Sequence, residues 1–209
     1  MIAIIDYGMG NLRSVSKALE HVGVSYVITD DADVIRGSEA IILPGVGAFP
    51  RAMKEIEKRG LTPLLKEEAA TGKPFLGVCL GMQLLFEAGE EIENTKGLGL
   101  LPGTVRKLPA GRKIPHMGWN SLEQKKKSPL LKDVKENSYV YYVHSFYADC
   151  PDEVVDAGSN YGVFVPGVVS RGNIFGAQFH PEKSSETGLK MLENFKELVE
   201  TWSFSQQSI

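Results

Sequence analysis

Gly77-Val78-Cys79-Leu80-Gly81-Met82-Gln83 is the stretch that decides how this chain folds. The apolar run Pro74 to Val78 (PFLGV) ahead of it reads as a buried strand, and Leu80 to Ala88 reads as a helix straight after it. A cysteine between two glycines at such a junction has the G-x-C-x-G spacing of a nucleophile elbow, with sulfur in the place of a serine hydroxyl. The sharp turn forces the central residue into a strained backbone conformation and pushes its side chain out over the sheet edge. The flanking glycines leave room for strand and helix to approach. The sulfur then sits at a helix N-terminus, where the aligned peptide dipoles favour thiolate over thiol. The Leu80 N–H points the same way and can stabilise an oxyanion. Outside such a context a free cysteine is mostly a small, inert core residue.

A nucleophilic cysteine needs a partner to manage its proton. The chain has four histidines. His21 lies late in the first helical pattern, His116 follows Pro115 in a loop, and His144 ends the strand YVYYVHS. His180 follows the apolar strand Ile174 to Phe179 and precedes Pro181 and Glu182. In extended backbone, residues i and i+2 point to one side, so His180 and Glu182 can project together. The carboxylate can then accept the imidazole N–H and set its tautomer. A strand-end turn is the competing reading of this tripeptide.

The strand before the elbow belongs to an alternating series. Ile2 to Ile5, Val24 to Ile28 and Glu39 to Leu43 read as strands. Asn11 can cap a helix with Leu12, Val15, Leu19 and Val22 on one face, and further helical patterns cover residues 48 to 58 and 60 to 72. This alternation predicts an α/β fold, a largely parallel central sheet with helices on both faces. From about residue 97 to 178 the pattern changes to short strands and turns: Thr104 to Leu108, Trp119 to Glu123, Tyr139 to His144, Val163 to Ser170 and Ile174 to Phe179. These predict a small antiparallel β extension. A last helix is expected from Glu186 to Trp202. Residues 1–202 are read as a single domain and Ser203 to Ile209 as a polar, frayed tail.

Composition excludes several classes. The 209 residues are 43% apolar and 23% charged, which is globular, and the net charge is −3. That balance predicts no nucleic-acid partner and no anionic membrane surface. The run from Phe75 to Phe86 contains Gln83 and is too short to span a bilayer. The N-terminus meets Asp6 at once and lacks a basic region, so it does not read as a secretory signal. Two cysteines, Cys79 and Cys150, make no disulfide framework, and a reducing, cytoplasmic compartment follows as the expectation. Lys125 to Lys127 reads as a solvated turn. No metal motif is present and no cofactor is expected. Gly8-Met9-Gly10 after the first strand outlines a dinucleotide fingerprint, but Arg13 stands where the third glycine belongs. Pro44-Gly45-Val46-Gly47, after the third strand, is either a structural turn or a loop beside the elbow that offers a second N–H.

Together these segments resemble the class I (triad) glutamine amidotransferases, on Gly77 to Gln83 and His180-Pro181-Glu182. Within that family three further segments resemble the glutaminase subunits of imidazole glycerol phosphate synthases. They are Asp6 to Val15 (DYGMGNLRSV), Leu43 to Phe49 (LPGVGAF) and Pro115 to Asn120 (PHMGWN). The resemblance covers residue 2 to about 199. It implies a flavodoxin-like sheet and a Cys79–His180–Glu182 triad that hydrolyses L-glutamine through a thioester, with an oxyanion hole at Leu80 and the Val46–Gly47 loop. It also implies that Gln83 and the backbone around His144, Ser145 and Phe146 hold the amino-acid end of the substrate. A (β/α)₈ cyclase would dock over the active-site face as a heterodimer partner and receive the ammonia, making imidazole glycerol phosphate and aminoimidazole carboxamide ribotide for histidine biosynthesis. Asn11, Trp119, Asn120 and Lys183 are the candidate contacts, Trp119 being either an anchor or a packed strand residue. The competing functions are a glutaminase subunit of an anthranilate or purine synthase, a non-catalytic cyclase-binding scaffold, and a cysteine peptidase.

Overall fold

A computed structural model describes residues 1–207. The first half alternates β1 (Ile2–Ile5), α1 (Leu12–His21), β2 (Tyr26–Thr29), α2 (Ala32–Gly37), β3 (Ala40–Leu43), α3 (Phe49–Lys58), α4 (Leu61–Ala70), β4 (Phe75–Val78) and α5 (Leu80–Leu84). Ten strands follow: β5 (Phe86–Gly89), β6 (Thr95–Lys96), β7 (Leu101–Lys107), β8 (His116–Ser121), β9 (Glu123–Gln124), β10 (Tyr139–His144), β11 (Phe146–Asp149), β12 (Val155–Asn160), β13 (Phe164–Arg171) and β14 (Ile174–Ala177). The helix α6 (Ser185–Gln207) comes last.

The main sheet has the order β2-β1-β3-β4-β14-β13-β12-β9. From β2 to β14 the neighbours are parallel, and from β14 to β9 they are antiparallel. Two smaller sheets, β10-β8 and β11-β7-β5-β6, make up the rest. Every residue of β1, β3, β4 and β14 is buried, because helices or further strands cover both faces. Alternate positions feed two cores. Ala3, Ile5, Ile41, Leu43 and Phe75 share one with Phe49, Ile56 and Leu65 from α3 and α4. Ile4, Ile42, Leu76, Val78 and Phe175 share the other with Leu19 of α1 and Leu192 and Phe195 of α6. Each such large apolar side chain contributes about 1.5–3 kcal/mol through burial.

Four sequence expectations need correction. The helix after Cys79 ends at Leu84, not Ala88. The carbonyls of Leu84 and Leu85 accept N–H groups from Leu98, Leu100 and Leu101, and β5 pairs with β7, so tertiary partners replace the next helical turn. His116 opens strand β8, facing His144 across an antiparallel ladder, and is not in a loop. Asn11 occupies the N-cap position of α1 but makes no side-chain capping bond. The tail expected from Ser203 is helical through Gln207, and Ser203 Oγ donates to Glu39 Oε1 at 3.0 Å. Residues 208 and 209 of that tail lie outside the described residues. The short helix α2, missing from the sequence reading, is capped by Asp31, whose carboxylate accepts the N–H groups of Asp33 and Val34.

Candidate active site

β4 ends at Val78, and the next residue, Cys79, has φ 54° and ψ −115°. Few residues other than glycine adopt a positive φ, and holding one costs about 1–3 kcal/mol. Its neighbours hold the turn in place. The Cys79 N–H donates to the Ala177 carbonyl at 2.8 Å, and the Cys79 carbonyl accepts the Gln83 N–H at 3.2 Å. A Cβ on Gly77 would lie 2.7 Å from the Gly81 carbonyl oxygen, and one on Gly81 would overlap the Leu43 carbonyl. The two glycines are therefore a packing requirement of the elbow.

β14 runs beside β4, with Ala177 in register with Val78. The chain leaving β14 thus reaches the same sheet edge as Cys79, which brings His180 to the sulfur despite their separation in sequence. His180 Nδ1 lies 2.7 Å from Glu182 Oε1, and the two side chains are 4% and 2% exposed. Burial by itself would lower the His180 pKa. Hydrogen bonds to Cys79 and Glu182, with the charge of each, outweigh it and push the imidazole up to about 9. With Nδ1 turned to the carboxylate, Nε2 is the nitrogen left for the sulfur.

A pocket of about 400 Å³ opens over Cys79. It is lined by Val46, Gly47, Leu80, Gln83, His144, Ser145, Phe146 and His180, together with Val143, Pro115 and Glu91. The structure thereby gathers every candidate oxyanion and substrate residue around the cysteine. Leu80 is the first residue of α5, so its N–H has no acceptor within the helix. Val46 requires a correction, because its N–H donates to the Met9 carbonyl at 2.9 Å and does not face the pocket as a free donor. The loop after β1 supplies that carbonyl, since β1 adjoins β3. The Gln83 side chain is also engaged. Its Nε2 donates to the Phe146 carbonyl and to Gln178 Oε1, both at 3.0 Å, so it braces the pocket wall. Glu91 and Pro115 are site residues that the sequence reading missed. Glu91 accepts the Phe49 N–H at 2.8 Å. It lies in an acidic stretch that reads as solvated surface, and no motif marks it.

The candidate partner contacts have different settings. Trp119 is 53% exposed on β8, its ring edge-on to Tyr141, with Met117 and Tyr139 exposed on the same small sheet. Lys183 is exposed and follows Glu182 directly in the chain. Asn11 is half-buried and lines a crevice with His180 and Glu182. Asn120 is half-buried, and its amide meets His116 and the Asn160 carbonyl. Among the described residues no group of three or more His, Cys, Asp or Glu is placed to hold a metal ion. No helix among them is long and apolar enough to cross a membrane.

The sequence matches the family model described as glutamine amidotransferase class-I over residues 3–198. It is 60% identical to imidazole glycerol phosphate synthase subunit HisH of Bacillus mycoides strain KBAB4 and 58% identical to the subunit HisH of Bacillus cereus strain ATCC 14579, over 100% of both chains in each case. The fold is similar to that of a crystal structure of a glutamine amidotransferase, with a TM-score of 0.76 at 20% identity over 96% of this chain and 100% of the other. It is also similar to PurLQS from Thermotoga maritima, with a TM-score of 0.73 at 25% identity over 95% and 98%. The elbow, the pocket and these matches agree: the chain belongs to the class-I glutamine amidotransferases.

Proposed function

We propose that Cys79, His180 and Glu182 hydrolyse glutamine, and that the ammonia passes to a cyclase docked over the pocket. One observation carries this reading: Cys79 and His180 line one cavity large enough for a single amino acid, and Glu182 holds the His180 ring from the other side. The sulfur adds to the side-chain amide carbon, and the carbonyl electrons move to oxygen. The Leu80 N–H stabilises that oxyanion. The His180 imidazolium gives its proton to the nitrogen as the C–N bond breaks, so ammonia leaves and a glutamyl thioester remains. Neutral His180 then takes a proton from water as the water attacks the thioester. Glutamate leaves, and sulfur and imidazolium are restored. Glu182 holds the imidazole by Nδ1–H and stabilises its cation. The Glu91 carboxylate on the pocket wall suits the substrate's ammonium group.

The chain is a glutaminase subunit of imidazole glycerol phosphate synthase and serves histidine biosynthesis, as its full-length similarity to the HisH subunits supports. Ammonia must stay neutral to act as a nucleophile, which favours direct delivery to a (β/α)₈ cyclase. The exposed Met117, Trp119 and Tyr139 suit the docking of such a partner. A catalytic thiol also suits a reducing, cytoplasmic compartment. With the Val46 N–H bonded to Met9, the isolated chain lacks one expected oxyanion donor, so its basal rate is low and partner docking raises it. The complex with Cys79→Ala tests the assignment. Ammonia-supported cyclase turnover should persist and glutamine-supported turnover should vanish. Undiminished glutamine-supported turnover would show that Cys79 is not the nucleophile.

A further inference from the structure

The pocket wall at Ser145–Phe146 hangs from a buried chain of polar groups that none of the triad chemistry uses. The Phe146 carbonyl receives Gln83 Nε2 at 3.0 Å and His144 Nδ1 at 2.8 Å. His144 Nε2 lies 2.8 Å from His116 Nδ1, and His116 Nε2 lies 3.3 Å from Asn120 Nδ2. The same Asn120 Nδ2 donates to the Asn160 carbonyl at 3.2 Å, while its Oδ1 accepts the Ser121 N–H at 2.9 Å. His116 and His144 are 3% and 6% exposed.

The protons along this chain follow from the acceptors. A carbonyl cannot donate, so His144 must carry its proton on Nδ1. Neutral His144 then presents a lone pair at Nε2, and His116 must donate to it from Nδ1. That leaves His116 Nε2 as an acceptor, which the Asn120 amide satisfies, with its own oxygen already placed by Ser121. Every hydrogen bond runs in one consistent direction only if both imidazoles are neutral. Burial favours that state and brings both pKa values down to about 4. The His116 ring is also clamped between Tyr142 and Tyr161, at centroid distances of 4.4 Å and 3.9 Å with near-parallel planes. A tilt of the ring plane would break both stacks.

We infer that His116 is a positioning residue for the glutaminase reaction, acting through His144 to fix the Phe146 carbonyl and so the Ser145–Phe146 wall against which substrate binds. It touches neither the sulfur nor the triad. This rests on the reading of the pocket as the glutamine site. The wall lies one hydrogen-bonded step from His144 and two from His116, and the outer end of the chain lies on β8, the strand that also carries exposed Met117 and Trp119.

The test compares His116→Phe with His116→Asn in the complex with cyclase. Phe keeps a flat ring between the tyrosines and removes both hydrogen bonds. Asn restores a donor near the Nδ1 position. The expected result for Phe is a KM for glutamine raised about tenfold, with a smaller loss in kcat and an unchanged rate of Cys79 alkylation by iodoacetamide. Asn should recover most of the KM. Nitrogen-15 spectra of the unaltered chain between pH 6 and 8 should show both imidazoles neutral, each with its proton on Nδ1. A wild-type KM in His116→Phe would overturn the inference. So would a proton on Nε2 of His144, or an equal failure of Phe and Asn in both KM and alkylation rate, which marks a merely structural role. Failure of the glutaminase reading itself would show separately, as glutamine hydrolysis surviving Cys79→Ala.

Discussion

Cys79 holds a backbone conformation that costs energy, and the surrounding hydrogen bonds and two glycines hold it there. Replacing it by Ala should lower glutamine hydrolysis by at least about 10³-fold, measured as glutamate release by the complex, with the fold intact by circular dichroism. In the proposed mechanism His180 sets the pH profile. Its pKa is raised to about 9, so the imidazolium needed to protonate the leaving nitrogen predominates below that pH. The rate kcat/KM should therefore fall as pH rises through about 9. Glu182→Gln removes one of the interactions that raise the imidazole, so that limb should move to lower pH and kcat should drop about 10²-fold or more. A profile measured from pH 6 to 10.5 checks both. Cys79 was legible from its place between two glycines after a strand, and His180 and Glu182 from their place at a strand's end together with the family resemblance. Glu91 was not, since only the fold of β5 and the loop after it brings that carboxylate to the pocket.

Among the elements, the short helix α5 departs furthest from its sequence pattern. Leu80 to Ala88 has a continuous helical character, yet the helix stops at Leu84 because Leu98, Leu100 and Leu101 take the carbonyls that the next turn would use. Partners so far along the chain leave no local trace. The elbow is different, since its glycines announce it. Gly81→Ala should destabilise the protein by about 2 kcal/mol or more, read by urea denaturation, because the new methyl meets the Leu43 backbone and not a movable side chain. On the opposite face, Phe195 of α6 is fully buried against Phe175 of β14. Phe195→Ala should cost about 3–5 kcal/mol in the same assay. The periodicity of Leu189, Leu192, Phe195, Val199 and Trp202 predicts an apolar stripe, of which Leu192, Phe195 and Val199 are buried and Leu189 and Trp202 half-buried. It gave no sign that the helix would continue past Trp202, where Ser203 finds Glu39.

For the whole molecule, three histidines shape stability against pH. His180 binds its proton more tightly folded than unfolded, so its contribution is complete below about 6.5 and is lost as pH rises through about 9. His116 and His144 are held down to about 4, chiefly by burial. The unfolded chain takes up their protons more readily, so stability falls as pH drops from about 6.5 towards 4. The two trends put the histidine optimum near pH 6.5, and urea midpoints at pH 5, 6.5 and 8.5 should show it. His116→Phe should flatten the acid side. The exposed apolar face of the β10-β8 sheet belongs to the same scale. Trp119→Ala should weaken binding of the proposed cyclase partner by about 2 kcal/mol, measured by titration calorimetry, without altering the fold.

By itself, the sequence determined the parallel α/β core, the elbow cysteine and the strand-end His–Glu pair. These depend on local rules: hydrophobic period, glycine at tight approaches and alternation along a strand. Tertiary structure alone decided which strands became neighbours, and hence that β14 lies beside β4 and delivers His180 to Cys79. It also decided that the Val46 N–H is spent on Met9, that Glu91 enters the pocket, and that two buried histidines brace its wall. Each of those facts is a pairing between groups far apart in the chain, and such pairings are chosen by the packing of the whole sheet.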